Sequence, residues 1–292
     1  MLSGRIYKLL AGTYYVDTAE GGIAAKAKGS FRSDGIEPRV GDTVLLQEER
    51  GSYRICEVMP RRNQLIRPPV ANIDILVIVL AVRKPEPDLL LAEKLIFSAR
   101  QNGIAPIAVI NKSELDEEAA QRLKAQFEQS DTRCITVSCR EGRGMPQLKN
   151  MLTGYTSCFA GQSAVGKSSI VSYFLPELRL QTGGLSRKTD RGRHTTRCCE
   201  LFRFAPDSYI ADTPGFSLFE DEIIDPAVFV LSFDPGYAAY ASECRFRGCS
   251  HTSEPDCGVK AAVESGKLSK ERYERYCKLY NQIKINWRNR YD

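Results

Sequence analysis

The segment Gly161-Gln162-Ser163-Ala164-Val165-Gly166-Lys167-Ser168 fits the pattern G-x-x-x-x-G-K-[ST] in full. Glycines at its ends let backbone amides wrap an anion, the Lys167 ammonium can reach the β and γ oxygens of a nucleotide, and the Ser168 hydroxyl can hold Mg²⁺. The pattern carries this chemistry only between a strand and a helix. Ser157-Cys158-Phe159-Ala160 reads as the strand, and Ser169-Ile170-Val171 suits the helix.

A phosphate loop does not choose a base, and two further segments address that. Ile210-Ala211-Asp212-Thr213-Pro214-Gly215 is a strand ending in Asp212, which can support Mg²⁺ through water, followed by Gly215, whose amide can meet a γ-phosphate. Asn111-Lys112-Ser113-Glu114 closes another apolar strand and resembles N-K-x-D, the element whose carboxylate accepts from the guanine ring N–H and exocyclic amine. Here the carboxylate is Glu114, one methylene longer than the usual Asp. Ser138-Cys139 follows the strand Cys134-Ile135-Thr136-Val137, where GTPases show Ser-Ala to support the base. The guanine-reading pair precedes the phosphate loop, the reverse of the ordinary GTPase order. Such an order is a circular permutation, the same sheet wound with new termini.

A third constellation lies downstream. Cys244-x4-Cys249-x-His251-x5-Cys257 offers three thiolates and one imidazole, a set suited to tetrahedral Zn²⁺, the alternative being free structural cysteines. Four ligands leave no open position, so one structural zinc is expected rather than a catalytic one. The remaining cysteines, at 56, 134, 139, 158, 198, 199 and 277, read as small core or surface residues.

The elements that must hold these residues follow from composition and pattern. The chain has 292 residues, of which 42% are hydrophobic and 26% charged, which excludes wholesale disorder and fibrous classes. The longest apolar run, Ile75 to Val82, is too short to cross a bilayer, and the first residues lack a secretory layout. A soluble cytoplasmic protein with no membrane partner is expected. The net charge of +5 is concentrated: the segments Arg179 to Arg203 and Gly266 to Arg290 together exceed it, which points to a polyanionic partner or to solvated faces.

Residues 1–68 carry five short strand-like runs, beginning at Gly4, Tyr14, Ile23, Thr43 and Tyr53, separated by turns such as Gly21-Gly22 and Gly41-Asp42. They suggest a small barrel of the OB or SH3 type, with a β-cap on the next domain as the alternative from these residues alone. Pro68-Pro69 makes a stiff break. Over 69–225, buried strands alternate with amphipathic helices near Leu89 to Gln101 and Glu117 to Gln129, predicting an α/β sheet covered on both faces. Residues 226–292 are turn-rich and cysteine-bearing, ending in a helix from Lys270 to about Ile285.

Together, the permuted order, the N-terminal barrel and the Cys₃His module resemble the ribosome small-subunit-dependent GTPase A family of circularly permuted bacterial GTPases. The resemblance spans nearly the whole chain, including Gly161 to Ser169, Gly192-Arg193-His194-Thr195-Thr196, Asp212-Thr213-Pro214-Gly215-Phe216, and Cys244 through Cys257 with Glu254-Pro255. It implies an OB-fold, a permuted GTPase domain and a zinc domain, with GTP hydrolysis coupled to late maturation of the small ribosomal subunit through rRNA contacts. Ala164 departs from the family's loop, where Gly is usual, and stands where potassium-activated GTPases carry Asn.

The mechanism expected from this is Mg²⁺-dependent hydrolysis of GTP to GDP and phosphate by a monomer that the small subunit stimulates. The GTP site would comprise Asn111, Lys112, Ser113 and Glu114, Ser138 and Cys139, the loop from Gly161 to Ser169, Asp212 and Gly215. Ser168 and Asp212 would support Mg²⁺, and Thr195 or Thr196 would sense the γ-phosphate. Phe216 stands where many GTPases carry the Gln that orients water, so His194 is the candidate for that role. The basic run Arg187 to Arg197 would be a switch that also suits rRNA phosphate. Two rival readings are a P-loop ATPase or kinase acting on a small molecule and an RNA-binding module with a structural nucleotide.

Overall fold

The computed structural model describes residues 1–33, 35–49, 51–65, 69–129, 132–177, 199–212 and 224–290. The first strands are β1 (Leu2–Leu10), β2 (Thr13–Thr18) and β3 (Gly21–Ala27); a short helix α1 (Ser30–Ser33) leads to β4 (Thr43–Glu49) and β5 (Ser52–Val58). β1–β2, β2–β3, β4–β5 and β1–β4 pair antiparallel, and β3–β5 pair parallel. The β1–β4 pairing closes a five-stranded barrel, and Ile6, Val16, Ala25, Val44, Leu46 and Ile55 fill it from alternate positions. Closure in the order 1-2-3-5-4 is that of the OB-fold.

β6 (Gln64–Leu65) and β7 (Val70–Ala71) pair antiparallel on either side of the Pro68-Pro69 position. Buried Asp42 accepts from Arg61 Nε at 2.7 Å and from the Arg39 N–H at 2.7 Å, which ties the barrel to this connection.

The central sheet contains β8 (Ile75–Ala81), β9 (Ala105–Asn111), β10 (Arg133–Thr136), β11 (Thr156–Ala160), β12 (Glu200–Ala205) and β13 (Ser208–Asp212), in the order β10-β9-β8-β11-β13-β12. All neighbours are parallel except β12, which runs antiparallel to β13. The helices are α2 (Leu89–Gln101), α3 (Glu117–Glu128), α4 (Met145–Leu152) and α5 (Lys167–Phe174). Every residue of β8 is buried, as a strand covered on both faces requires. Its alternation sends Leu76, Ile78 and Leu80 toward Ala92, Leu95 and Ile96 of α2, and Ile75, Val77 and Val79 toward Leu148 and Leu152 of α4 and Ile170 and Phe174 of α5. β12 also bridges to β1 at Glu200 and Lys8, where the side chains pair at 3.0 Å, so barrel and central sheet are continuous.

The C-terminal region is more helical than its turn-rich sequence suggests. α6 (Pro226–Ser232), α7 (Pro235–Ala241) and α8 (Gly258–Glu264) precede α9 (Lys270–Arg288). Asp225 and Asp234 cap the first two, each followed by proline at the first helical position. Phe229, Phe233, Tyr237 and Tyr276 pack into an aromatic core, and Phe97 of α2 joins it with its ring 4.9 Å from that of Phe229.

The terminal basic segment is not wholly a solvent-facing surface, because Arg272 and Arg275 are buried against Glu93 of α2. Arg272 makes a bidentate pair with Glu93 at 2.9 and 2.8 Å and reaches Asp234 at 2.7 Å; Arg275 meets Glu93 at 3.1 Å. The i, i+3 spacing of the two arginines puts both on the inner face of α9. Among the described residues, no helix is long and apolar enough to cross a membrane.

Candidate nucleotide and metal sites

β11 delivers the chain to the phosphate loop at the C-terminal edge of the sheet, and α5 leaves it. Gly161 adopts φ +129°, and a Cβ there would lie 2.2 Å from the Val79 carbonyl oxygen. Gly166 adopts φ +98°, and a Cβ there would lie 2.3 Å from Asn111 Nδ2. Both glycines are therefore required by close approach as well as by backbone angle. Ala164 occupies the left-handed region at φ +63° without that freedom. Val165 is fully buried and anchors the loop, while Ser163, Ala164, Ser168 and Ser169 are exposed. The first-turn amides of α5 have no intrahelical partner and form an anion-binding end.

Lys167 folds back over this loop, donating to the carbonyl oxygens of Gly161 at 2.7 Å and Gln162 at 2.5 Å. Burial lowers its pKa from the ordinary lysine value. Gln162 Oε1 accepts from the Asp88 N–H at 3.2 Å, joining the loop to the start of α2.

The segments that sequence assigns to base reading converge on the same loop. Asn111 Nδ2 donates to the Val165 carbonyl at 2.9 Å, and Asn111 Oδ1 accepts from the Cys139 N–H at 3.3 Å. One side chain thus links three segments far apart in sequence. Lys112, held at φ +61°, donates to the Ala164 carbonyl at 2.8 Å and to the Lys84 carbonyl. Ser113 is buried, its N–H donating to Val137 O at 3.2 Å, and Ser138 is buried with its hydroxyl accepting from the Glu141 N–H at 3.1 Å.

Glu114 Oε2 is shielded from solvent and has no hydrogen-bond partner among the described residues. Asp116, two residues on, is differently employed: it caps α3 through the Ala119 N–H at 2.9 Å and pairs with Arg83 at 2.8 Å. Of the two carboxylates, Glu114 is the one left for a ligand donor. Asp212 ends β13, its backbone in register with Glu200. The candidates His194, Thr195, Thr196 and Gly215 lie outside the described residues, as do the basic run Arg187 to Arg197, Cys198 and Phe216.

The Cys/His set is brought together as its spacing predicts. The ligand atoms of Cys244, Cys249, His251 and Cys257 all lie within 4.8 Å of one another and could hold one metal ion. Cys244 and Cys257 Sγ are 3.8 Å apart, and they lie 3.5 and 3.4 Å from His251 Nδ1. Tetrahedral bonds of ~2.3 Å to sulfur and ~2.0 Å to nitrogen give edges of about 3.8 and 3.5 Å, so the set fits zinc. Burial pushes the Cys249 thiol up to about 12, so this set needs a cation to stand as thiolates.

The surrounding shell is well bonded. Glu254 accepts from the Ser250 N–H at 3.0 Å, the Ser250 hydroxyl at 2.7 Å and the Thr252 N–H at 3.1 Å. Burial acts to raise its carboxyl, but the Ser250 and Thr252 donors prevail and hold it down to about 2. Tyr276 and Tyr273 hydroxyls donate to the carbonyls of Ser250 at 2.6 Å and His251 at 2.8 Å, binding the loop to α9. Sequence reading missed the Lys84 carbonyl and the Gln162–Asp88 contact. Neither has a local signal.

Comparison with known proteins identifies the family. Residues 58–222 match the family described as RsgA GTPase, and residues 3–53 match the RsgA N-terminal domain. A relative from Caldanaerobacter subterraneus, named small ribosomal subunit biogenesis GTPase RsgA, is 40% identical over 99% of this chain and 98% of its own. One of the same name from Agathobacter rectalis is 38% identical over 97% and 98%. Among solved structures, YjeQ from Thermotoga maritima aligns with TM-score 0.81 and 30% identity over 97% of this chain and 98% of its own. YloQ, described as a circularly permuted GTPase, aligns with TM-score 0.81 and 31% identity over 98% and 96%.

Proposed function

The chain belongs to the RsgA GTPase family, and from that membership we infer that it is a GTPase acting in biogenesis of the small ribosomal subunit. The observation that carries the nucleotide reading is Asn111, which couples the phosphate loop at Val165 to the base-supporting segment at Cys139. In this reading Glu114 accepts from the guanine N–H and amine, with Lys112, Ser113, Ser138 and Cys139 shaping the base pocket. Amides from Gly161 to Ser169 hold the phosphates, and Lys167 exchanges its two carbonyl partners for β and γ oxygens. Gly215 meets the γ-phosphate.

Ser168 and Asp212 would hold Mg²⁺, which when bound neutralises phosphate charge as the γ-phosphoryl leaves. Thr195 or Thr196 would sense the γ-phosphate, and His194 would orient the attacking water. Cys244, Cys249, His251 and Cys257 would hold one structural zinc, which fixes the loop between α7 and α8. The units are a barrel over residues 1–68, a permuted GTPase domain over 69–225 and a zinc domain over 226–292. The protein acts in the cytoplasm as a monomer, its partners are GTP, GDP and the rRNA of the small subunit, and subunit binding raises turnover.

The test is GTP turnover with and without purified small subunits, in the native chain and in Lys167→Ala. Stimulated turnover that falls by on the order of a hundredfold in the variant is expected. Equal turnover of ATP, or turnover retained in Lys167→Ala, would overturn the assignment.

A further inference from the structure

A groove of about 810 Å³ opens between α6, the loop carrying the Cys/His set, and α9. Val230 and Leu231 of α6, Phe246 and Arg247 of the loop, and Tyr280 and Trp287 of α9 are among its walls. Leu231 is 79% exposed and Phe246 44%. Large apolar side chains left open around one concavity mark a binding surface.

Its charge says what kind of partner fits. From Arg275 to Arg290 the sequence contains no Asp or Glu. Tyr280, Lys284, Trp287 and Arg288 follow at i, i+4, i+7 and i+8, so ring and cation share one face of α9. The Arg290 guanidinium lies 4.0 Å from the Trp287 ring centroid, the Lys284 ammonium 5.7 Å from that of Tyr280, and the Arg245 guanidinium 5.6 Å from that of Phe246. Arg245 is paired with Asp256, but no ion pair among the described residues holds Arg247, Lys284 or Arg288.

An apolar peptide would fill the concavity without using these cations. A duplex or a bare polyphosphate would use the cations without using the rings. A nucleobase uses both, stacking on aromatic and guanidinium planes while its neighbouring phosphates meet the basic rim. We propose that this groove takes an unstacked base of single-stranded RNA. The proposal deepens the rRNA part of the function given above and rests on it, by naming single-stranded rather than helical RNA as what this region reads.

Trp287 is the chain's one tryptophan, so its intrinsic fluorescence reports on this groove alone. The full zinc-loaded chain is titrated with single-stranded oligoadenylate of about ten nucleotides, a length within the span one ssRNA site covers. A duplex of equal length, inorganic polyphosphate and an amphipathic apolar peptide are run in parallel. Quenching by the single strand alone is expected. Phe246→Ala and Trp287→Ala, read by anisotropy of a labelled strand, should each weaken binding about five- to a hundredfold, the range for one lost base stack, while Phe246→Tyr retains it.

Equal quenching by duplex or polyphosphate, quenching by the peptide instead of RNA, or unchanged affinity in both alanine variants overturns the proposal. Cosedimentation of the unaltered chain with small ribosomal subunits is read alongside. Subunit binding without base-dependent quenching overturns the groove alone, whereas absence of subunit binding overturns the ribosomal reading itself.

Discussion

Asn111 Nδ2 stands 2.3 Å from the point where a Cβ on Gly166 would fall, and it uses that space to donate to Val165 O at 2.9 Å. The segments proposed to read the base and to bind phosphate are thus interlocked through the missing side chain of one glycine.

Gly166→Ala should therefore act on the base as well as on the phosphates. The added methyl forces Asn111 away from both Val165 and Cys139, and the left-handed backbone is strained for alanine. GTP affinity is expected to fall at least tenfold, about 1.4 kcal/mol, with guanine selectivity over adenine reduced. Competition titrations with GTP and ATP measure this, and an unaltered GTP-to-ATP ratio would show that the two segments are not coupled.

Glu114 supplies a second test through its unpartnered, shielded Oε2. Glu114→Gln replaces a double acceptor with an amide that donates toward guanine donors, and should weaken GTP binding by roughly 2 kcal/mol or more, as for a lost hydrogen bond to a charged group. Glu114→Asp should bind more tightly than the native chain if the extra methylene places the carboxylate beyond its best reach. Asp116→Asn, in contrast, should weaken the α3 cap and leave base choice unchanged. Calorimetric titration separates the three.

The metal site carries a pH prediction. Purified chain should contain about one zinc, and Cys249→Ser should lose it. Zinc is bound by thiolates, so protons compete: affinity should fall as pH is lowered and rise as it is raised toward the thiol range. Elemental analysis gives the stoichiometry, and chelator competition between pH 6 and 8 gives the slope. A pH-independent affinity would contradict thiolate ligation.

The buried cluster of Glu93, Arg272, Arg275 and Asp234 predicts how the C-terminal helices are fastened to the GTPase sheet. Burial acts to raise the Glu93 carboxyl, but the two guanidiniums outweigh it and hold the carboxyl below its ordinary value of 4.5. A depressed carboxylate contributes stability that is fully present above 4.5 and is lost as pH falls through the lower folded-state value. Glu93→Ala should cost about 3–5 kcal/mol at pH 7, because two buried cations lose their partner. Thermal unfolding from pH 7 to pH 3 should show the native chain losing this advantage over the variant below about pH 4.5.

Much of the molecule was legible in local pattern. The five barrel strands, the buried run of β8, the helix from Leu89 to Gln101 and the strands ending at Ala160 and Asp212 each carry their period or their flanking turns in the text. The Cys/His set was legible because its four ligands lie close in sequence. The phosphate loop was legible because its backbone demands glycine where a side chain would collide. The helices α6, α7 and α8 were not read, although Asp225-Pro226 and Asp234-Pro235 are capping signals, because each is too short to show a 3.6-residue period.

Long-range relationships were decided only by the tertiary structure. Sequence marked Asn111, Gly166 and Cys139 as candidates for nucleotide binding, but not that one amide joins them, since that needs three strand ends at one edge of the sheet. It determined that α9 is basic, but not that Arg272 and Arg275 turn inward, because a charge's direction depends on the buried carboxylate it meets on another element. Local backbone preference is written into short spans of residues, whereas pairing of buried polar groups is set by which distant spans packing brings together.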